Sequence, residues 1–234
     1  MTAFHLNRNG KKLAEAGFTL VEIAIVLVII GLLLGGILKG QEMINQARIK
    51  NVVNDFNGIT VAVTSYQDRY RALPGDDGNA AGRWTTQAPA NGNANGVVVG
   101  LYNANDTNGT AGAPAAAAES NLFWQHLRLA GFVPGVTVAT GSGTPPQNAT
   151  GGMIGVETAV PGTSGLGFTT LIVCASNVPD KVASAVDTQM DDANPGTGQV
   201  RGQLQAGPSP PTASNPATGF VETGTNQYLL CKNF

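Results

Sequence analysis

The sequence predicts an α+β protein in which one long N-terminal helix precedes a glycine-rich domain built around a modest sheet. A helical pattern, first apolar and then amphipathic, runs without Pro from residue 18 to about residue 71. In the remainder, short apolar segments are separated by turn residues. The chain has 31 Gly and 13 Pro among 234 residues, which is too many for a helical bundle.

The first apolar segment is a candidate membrane span. Residues 18–38 read FTLVEIAIVLVIIGLLLGGIL, and Glu22 is their only charged residue. A helix of this length crosses about 30 Å of hydrocarbon. Because Arg8, Lys11 and Lys12 precede it, the positive-inside rule keeps the N-terminus in the cytoplasm and exports the rest of the chain.

A cleaved secretory signal peptide is the alternative for this segment. Its apolar run is longer than the usual signal-peptide core. The polar string KGQEMINQARIK follows it with no preceding small-residue cleavage site. We therefore predict a single-pass membrane protein with an exported C-terminal domain.

The helix is predicted to continue as an amphipathic segment over residues 39–73. Pro74 and the turn-forming LPGDDG string end it, so the whole helix would be about 80 Å long. Residues 74–234 then form a globular head domain. The apolar residues of the continuation recur every three or four positions and predict one buried face, made of Ile49, Val52, Phe56, Ile59, Val63, Tyr66, Tyr70 and Leu73.

Four segments of the head domain have a readable pattern. Residues 119–132 predict a short amphipathic helix that stops at Gly131. Residues 166–176 predict a buried strand, and residues 226–231 a final strand. Residues 178–202 predict a helix to about Met190, with Pro179 in its first turn, then a turn and a strand.

The sequence offers few groups for catalysis or for nucleic-acid binding. The formal net charge of −2 gives no basic field to hold phosphates. The two histidines, His5 and His126, are far apart, and no CxxC, HExxH, GxSxG or GxxxxGK[ST] string occurs. We expect His126 to be half-exposed beside Trp124, and the protein not to be an enzyme or to contact nucleic acid directly.

The junction AGFTLVE resembles the class III signal of type IV pilins and type II secretion pseudopilins. The features are a basic leader that ends in Gly17, then Phe18, then Glu22 as the fifth residue of an apolar helix. The resemblance implies that a prepilin peptidase removes the leader, residues 1–17, and that Phe18 becomes N-methylated. It also implies the pilin fold, a long helical spine packed on an antiparallel sheet. The string RYRALPGD is similar to the helix end of many minor pilins.

Glu22 is the candidate assembly residue. A carboxylate within an apolar span is unfavourable unless it has a partner or a function. In the family that the junction resembles, this glutamate pairs with the N-terminal ammonium group of a neighbouring subunit. The alternative is a tolerated charge that reaches the membrane interface.

Four glycines in the apolar helix are candidate packing positions. Gly31 with Gly35 and Gly36 with Gly40 form two GxxxG pairs, which permit close helix approach. Each Gly also weakens a helix by about 1 kcal/mol relative to Ala, so this segment could melt locally. Lys39 stands where many pilins carry a helix-breaking proline. The alternative is the ordinary enrichment of Gly in transmembrane helices.

Cys174 and Cys231 are the only cysteines. In an exported domain a disulfide is expected between them. Such a bond would join two predicted strands and contribute about 4 kcal/mol in the chain-entropy model. It would also match the C-terminal disulfide loop of many pilins. The alternative is a pair of free buried thiols.

A group of oxygen donors follows the predicted late helix. Asp187, Asp191, Asp192 and Asn194 make a weak calcium candidate, because calcium prefers oxygen ligands but the spacing is not that of an EF-hand. A solvated turn with local hydrogen bonds is the preferred interpretation, and the same holds for the group Asp76, Asp77 and Asn79. No other metal and no cofactor is expected.

The resemblance predicts a structural subunit of a type IV pilus-like filament that serves adhesion, motility or uptake. The precursor would lie in a bacterial inner membrane with its C-terminal domain in the periplasm, and the mature chain would polymerise with itself or with other pilins. Its expected partners are a prepilin peptidase and methyltransferase and an inner-membrane assembly platform with a separate ATPase. The alternatives are a type II secretion pseudopilin and a membrane-tethered binding protein that never polymerises.

Overall fold

The computed structural model describes residues 19–104, 118–138, 141–160, 162–207, 209 and 211–234. Over these ranges a long N-terminal helix precedes a four-stranded antiparallel sheet, so the predicted α+β class is confirmed. The elements in chain order are α1 (Leu20–Tyr70), α2 (Ala80–Arg83), α3 (Glu119–Leu129), β1 (Ile154–Thr158), β2 (Leu171–Pro179), α4 (Asp180–Met190), β3 (Val200–Gln205) and β4 (Gln227–Asn233).

The chain divides into two compact units, Met1–Met43 and Ile44–Phe234, and helix α1 runs through the boundary. The described part of the first unit is the apolar half of α1, where no residue of the most apolar window is buried. Among the described residues, α1 is the one helix long and apolar enough to cross a membrane. A helix that is apolar all round needs an apolar environment on every side.

In the second unit, the later half of α1 supplies one wall of the main core. Val52, Phe56 and Tyr66 are fully buried there and pack with Phe123 and Trp124 of α3. Because the buried α1 positions from Ile49 to Tyr66 recur every three or four residues, this part of the predicted apolar stripe is confirmed. Tyr70 is only half-buried, and Leu73 is half-buried beyond the end of the helix. The helix ends at Tyr70, since the next residue adopts a left-handed conformation with φ of 53°.

The sheet has the strand order β1-β2-β4-β3, and every neighbouring pair is antiparallel. Alternation places Val173 and Ala175 on the face of the main core, and Ile172 and Cys174 on the opposite face. A second, smaller core covers that opposite face. The two central strands are therefore buried on both sides, which explains why their sequences are almost continuously apolar.

The predicted disulfide is present and joins the two central strands. Cys174 of β2 lies directly opposite Cys231 of β4, and both residues are fully buried. The bond closes a segment of sequence separation 57, which contains α4 and β3. It therefore links β4 to β2, its neighbour at the centre of the sheet.

Three expectations about element bounds need correction. Strand β2 begins at Leu171 rather than at residue 166, because Leu166 and Gly167 adopt positive φ values of 51° and 78° in a turn. Pro179 precedes the first turn of α4 as its N-cap residue, and the helix begins at the next residue. Strand β1 was missing from the sequence prediction altogether.

Candidate functional site

The candidate processing and assembly site lies at the start of the chain. The first described residue is Thr19, so Gly17 and Phe18 lie outside the described residues. The assembly candidate Glu22 stands in the first turn of α1. Its side chain is exposed, as are the apolar side chains that follow it along the helix.

Thr19 and Glu22 form a reciprocal capping box at the start of α1. Oε2 of Glu22 accepts hydrogen bonds from the backbone N–H and from the hydroxyl of Thr19, each at 2.8 Å. The backbone N–H of Glu22 donates in return to Oγ1 of Thr19 at 3.3 Å. The box satisfies N–H groups that the first turn of a helix leaves unpaired, and it fixes the carboxylate beside the positive end of the helix dipole.

The capping box gives Glu22 a second role at the start of the helix. The rule that a carboxylate within an apolar span needs a partner does not predict this role. The string T-x-x-E ahead of an apolar run is a known signature of a helix N-terminus, and it is legible in TLVE. Only Oε2 takes these bonds, and Oε1 accepts no hydrogen bond from the part of the chain that the structure describes. The carboxylate therefore keeps an oxygen available for a group on another molecule.

The four packing glycines lie on an unbroken stretch of α1. A Cβ atom added at Gly31, Gly35, Gly36 or Gly40 would meet nothing within 4 Å. Contacts within the described chain therefore do not require glycine at these positions. Lys39 forms an exposed ion pair with Glu42 at 2.7 Å, one turn along the same helix.

In the head domain, the expectation of a half-exposed His126 is wrong. Its side chain is fully buried beneath Tyr66, with the two rings stacked at a centroid distance of 6.3 Å. Nδ1 accepts a hydrogen bond from the backbone N–H of Gly75, and Nε2 lies 3.0 Å from the carbonyl of Ala90, to which the neutral ring donates. Burial lowers the pKa of the imidazole to about 4, so the ring is a neutral structural group.

The expectation of a solvated turn at Asp76, Asp77 and Asn79 is wrong about the solvation, because both carboxylates are buried. The expected local hydrogen bond is present, since the backbone N–H of Asn79 donates to Oδ1 of Asp77 at 2.9 Å. Asp77 accepts a hydrogen bond of 2.6 Å from the hydroxyl of Tyr66 and pairs with Arg83. Asp76 accepts backbone hydrogen bonds at 2.6 Å and 3.1 Å from the segment around Gly96. Asp77 therefore holds the loop that follows α1 against the helix, and Asp76 holds the same loop against the segment around Gly96.

The structure brings together three of the four residues of the weak calcium candidate at the end of α4. One carboxylate oxygen from each of Asp187, Asp191 and Asp192 lies within 4.8 Å of the others. Asn194 instead closes a local turn, since its side-chain oxygen accepts a hydrogen bond from the N–H of Gly196 at 3.0 Å. Local turns of the expected kind therefore occur at Asp192 and Asn194, but Asp187 is fully buried rather than solvated.

Burial, together with the neighbouring Asp192 and Asp191 carboxylates, raises the pKa of the Asp187 carboxyl to about 6. The backbone N–H of Ala193 opposes this shift. Asp187 is thus the most perturbed carboxyl of the group.

A cleft of about 280 Å³ lies between the later half of α1 and two loops of the head domain. Its lining is mainly apolar and includes Ile59, Trp124 and Phe132. Asp55 is its only ionisable lining residue, and burial raises the pKa of that carboxyl. A single carboxylate without a neighbouring nucleophile or base is not a recognisable catalytic arrangement.

Comparison with known proteins identifies the N-terminal segment. The family model described as the prokaryotic N-terminal methylation motif matches residues 12–38. Searches of curated proteins and of solved structures gave no match. The matched residues include Gly17, Phe18 and Glu22 and lead directly into the exposed apolar half of α1. This motif, followed by a long apolar helix and a four-stranded antiparallel sheet, is an arrangement similar to that of type IV pilins and pseudopilins.

Proposed function

We propose that the protein is a structural subunit of a type IV pilus-like filament. The observation that carries the proposal is the methylation motif at residues 12–38, continuous with a helix whose apolar side chains are exposed on all sides. The role is structural rather than enzymatic. The precursor spans the inner membrane once, with the head domain in the periplasm, and is cleaved by a prepilin peptidase between Gly17 and Phe18.

Cleavage creates a new ammonium group at Phe18, four residues before Glu22. Methylation of the amine leaves it able to carry a positive charge. The Glu22 carboxylate is held at the first turn by Thr19 through Oε2, which leaves Oε1 to receive the ammonium of a neighbouring subunit. In the apolar surroundings of a filament core, such a charge pair is strong and directional.

Assembly then buries the apolar half of α1 against other copies or other pilins. The exposed side chains of residues 20–38 would exchange lipid for helix contacts, and Gly31, Gly35, Gly36 and Gly40 would permit close approach of two helices. An inner-membrane assembly platform with a separate ATPase would supply the energy.

A type II secretion pseudopilin is the second candidate within the family, since the same motif and helix serve both. The two roles differ in where the filament accumulates. Sheared cell-surface material rich in the protein supports a pilus, whereas a processed protein confined to the cell envelope supports a secretion pseudopilus. A tethered binding protein that never polymerises is the candidate from another class.

Three variants test whether the charge of Glu22 drives assembly. Glu22→Gln keeps a side chain that can complete the capping box but removes the charge. Thr19→Ala weakens the cap, at a cost of about 1 kcal/mol, but keeps the charge. We expect Glu22→Gln to be processed normally yet to reduce filaments at least tenfold, and Thr19→Ala to assemble nearly as well as the wild type.

Glu42→Gln is the matched control, because Glu42 is another exposed glutamate of α1 that pairs only with Lys39 in the described part of the chain. The readouts are immunoblots of sheared filaments and of membranes. Normal filament yield from Glu22→Gln would contradict the charge-pairing role. Loss of filaments from Thr19→Ala alone would show that the cap, not the charge, is needed.

A further inference from the structure

The apolar cleft beside the later half of α1 passes over a glycine of that helix. Gly58 lies in the interior of α1 and lines the cleft, and a Cβ added there would meet nothing within 4 Å. Glycine inside a helix is less favourable than alanine, and contacts within the described chain do not require it here. The missing side chain leaves open space at the surface of the helix.

The walls around this space are mainly apolar and belong entirely to the second unit. Ile59 of α1 and Trp124 of α3 are buried, and Phe132 follows α3 in a loop. The volume of about 280 Å³ lies near the lower end of the range for small-molecule sites. The cleft therefore has room for one ring with a short chain rather than for a nucleotide or a long peptide.

Asp55 is the only ionisable residue of the lining, and it is half-buried. Its Oδ2 accepts a hydrogen bond from the backbone N–H of Ala149 at 3.3 Å, and Oδ1 accepts none from the described part of the chain. No cationic side chain that the structure describes forms an ion pair with Asp55. The other polar side chains of the lining, those of Asn54 and Gln147, are neutral.

This carboxylate determines the charge of a suitable occupant. A partly buried carboxylate without a cation is unfavourable, and a hydrogen-bonded ammonium group would offset that cost. An anion would instead meet a like charge. A neutral apolar molecule would fill the space but leave Asp55 further desolvated and unpaired.

We propose that the cleft binds a small aromatic amine. Its ammonium group would donate to Asp55, and its ring would lie on the helix surface at Gly58 and against Ile59, Trp124 and Phe132. Aromatic side chains in the lining favour a flat ring over a branched chain, since ring pairs gain energy beyond the area that they bury. The proposal does not depend on filament assembly, because it concerns only residues of the second unit.

Titration of the full-length protein in detergent micelles with 2-phenylethylamine hydrochloride tests the site, with protein-free micelles as the blank. Isothermal calorimetry at pH 7, where this amine is cationic, should show saturable binding of one molecule per chain. The neutral match is 2-phenylethanol, which has the same ring and chain and should bind at least tenfold more weakly. Because a ligand at 100 times its Kd stabilises the folded state, excess amine should raise Tm by about 5 °C.

The two tryptophans of the chain locate the bound molecule. Trp124 lines the cleft and Trp84 does not. In NMR spectra of protein labelled with ¹⁵N at tryptophan, the indole N–H signal of Trp124 should shift with the same saturation as the calorimetric binding. The signal of Trp84 should move less, and Trp84→Phe assigns the two signals.

Asp55→Asn tests the charge, because the amide can keep the hydrogen bond from Ala149. It should weaken binding of the amine at least tenfold and leave the binding of 2-phenylethanol unchanged. Asp68→Asn is the matched control at an exposed aspartate of α1 and should change neither affinity.

Gly58→Leu tests the space, because it adds a good helix former where nothing obstructs the new side chain. Its Tm should equal or exceed that of the wild type, yet amine binding should fall at least tenfold as the cleft is filled. Asn57→Leu adds the same side chain at a neighbouring exposed position outside the lining and should leave binding intact.

Three results would overturn the proposal. The first is the absence of saturable amine binding up to about 10 mM, tenfold above a millimolar Kd. The second is amine binding that Asp55→Asn or Gly58→Leu leaves unchanged. The third is binding of 2-phenylethanol as tight as that of the amine.

Discussion

His126 is one residue that makes stability depend on pH, because its imidazole is held in the neutral form. Both ring nitrogens are used in the folded protein, one to accept from Gly75 and one to donate to Ala90. A proton added to Nδ1 would face an N–H donor and could not be accommodated without breaking that bond. The folded state therefore resists protonation at this site, whereas the unfolded chain accepts the proton freely.

The first prediction follows from that difference in pKa. The pKa of His126 is about 4 in the folded protein and about 6.5 in an unfolded chain, so the unfolded state binds more protons between these values. His126 therefore adds to the free energy of unfolding fully above pH 6.5. This contribution, about 3 kcal/mol in total, is lost as pH falls toward 4. Urea unfolding at pH 7.5, 6, 5 and 4.5 measures it.

His126→Gln isolates this effect from other titrating groups, such as Asp187, whose raised pKa acts in the opposite direction. The variant should be less stable than the wild type at pH 7.5, because it loses the buried imidazole ring and its packing. The difference in free energy of unfolding between the wild type and the variant should become smaller as pH falls. A gap that stays constant from pH 7.5 to 4.5 would show that His126 does not titrate on unfolding.

At the scale of secondary structure, periodic elements could be predicted and an isolated short one could not. The stripe of α1 and the apolar run of β2 carry their own period, so both are legible in the sequence. Strand β1 is five residues long and contains Gly155 and Glu157, two residue types that are less common in strands than in loops. Glu157 is buried there because it accepts a hydrogen bond from the N–H of Tyr102 at 2.8 Å, and that partner is 55 positions away.

The same limit explains the corrected expectations at Asp77 and His126. Asp77 accepts from Tyr66 in the helix, and His126 accepts from a backbone group 51 positions away. Such partners are determined by the packing of the folded chain, and no local sequence spacing predicts them. The capping box between Thr19 and Glu22 is different, because a spacing of three makes it readable from the sequence alone.

The second prediction, which belongs to this scale, concerns the disulfide between β2 and β4. Replacing Cys174 and Cys231 together by Ala should lower the free energy of unfolding by about 4 kcal/mol and Tm by about 10 °C, because the unfolded chain regains the freedom of a long loop. Thermal unfolding with and without reductant measures the effect. Reductant should lower Tm of the wild type but not of the double variant, and equal Tm values for all samples would contradict the argument.

At the scale of the whole molecule, the two units differ in how much their sequences indicate about function. The first unit exposes apolar side chains and carries the methylation motif, so the resemblance to pilins and pseudopilins rests on residues 12–38. The second unit has its own core of helix and sheet, but its long glycine-rich loops hold no motif for a ligand or a reaction. Membrane anchoring and leader cleavage are therefore predictions that the sequence supports, whereas it supports none for the target of the head domain.

The central claim is that the mature chain starts at a methylated Phe18 and resides in a filament. Intact mass and N-terminal peptide analysis of the protein from sheared filaments and from membranes, before and after reduction, tests it most directly. The account predicts a chain that lacks residues 1–17, begins with N-methylated Phe18, gains two hydrogens on reduction of the Cys174–Cys231 bond, and is present in the sheared fraction. A mature protein that keeps residues 1–17, or is cut at another bond, would contradict it.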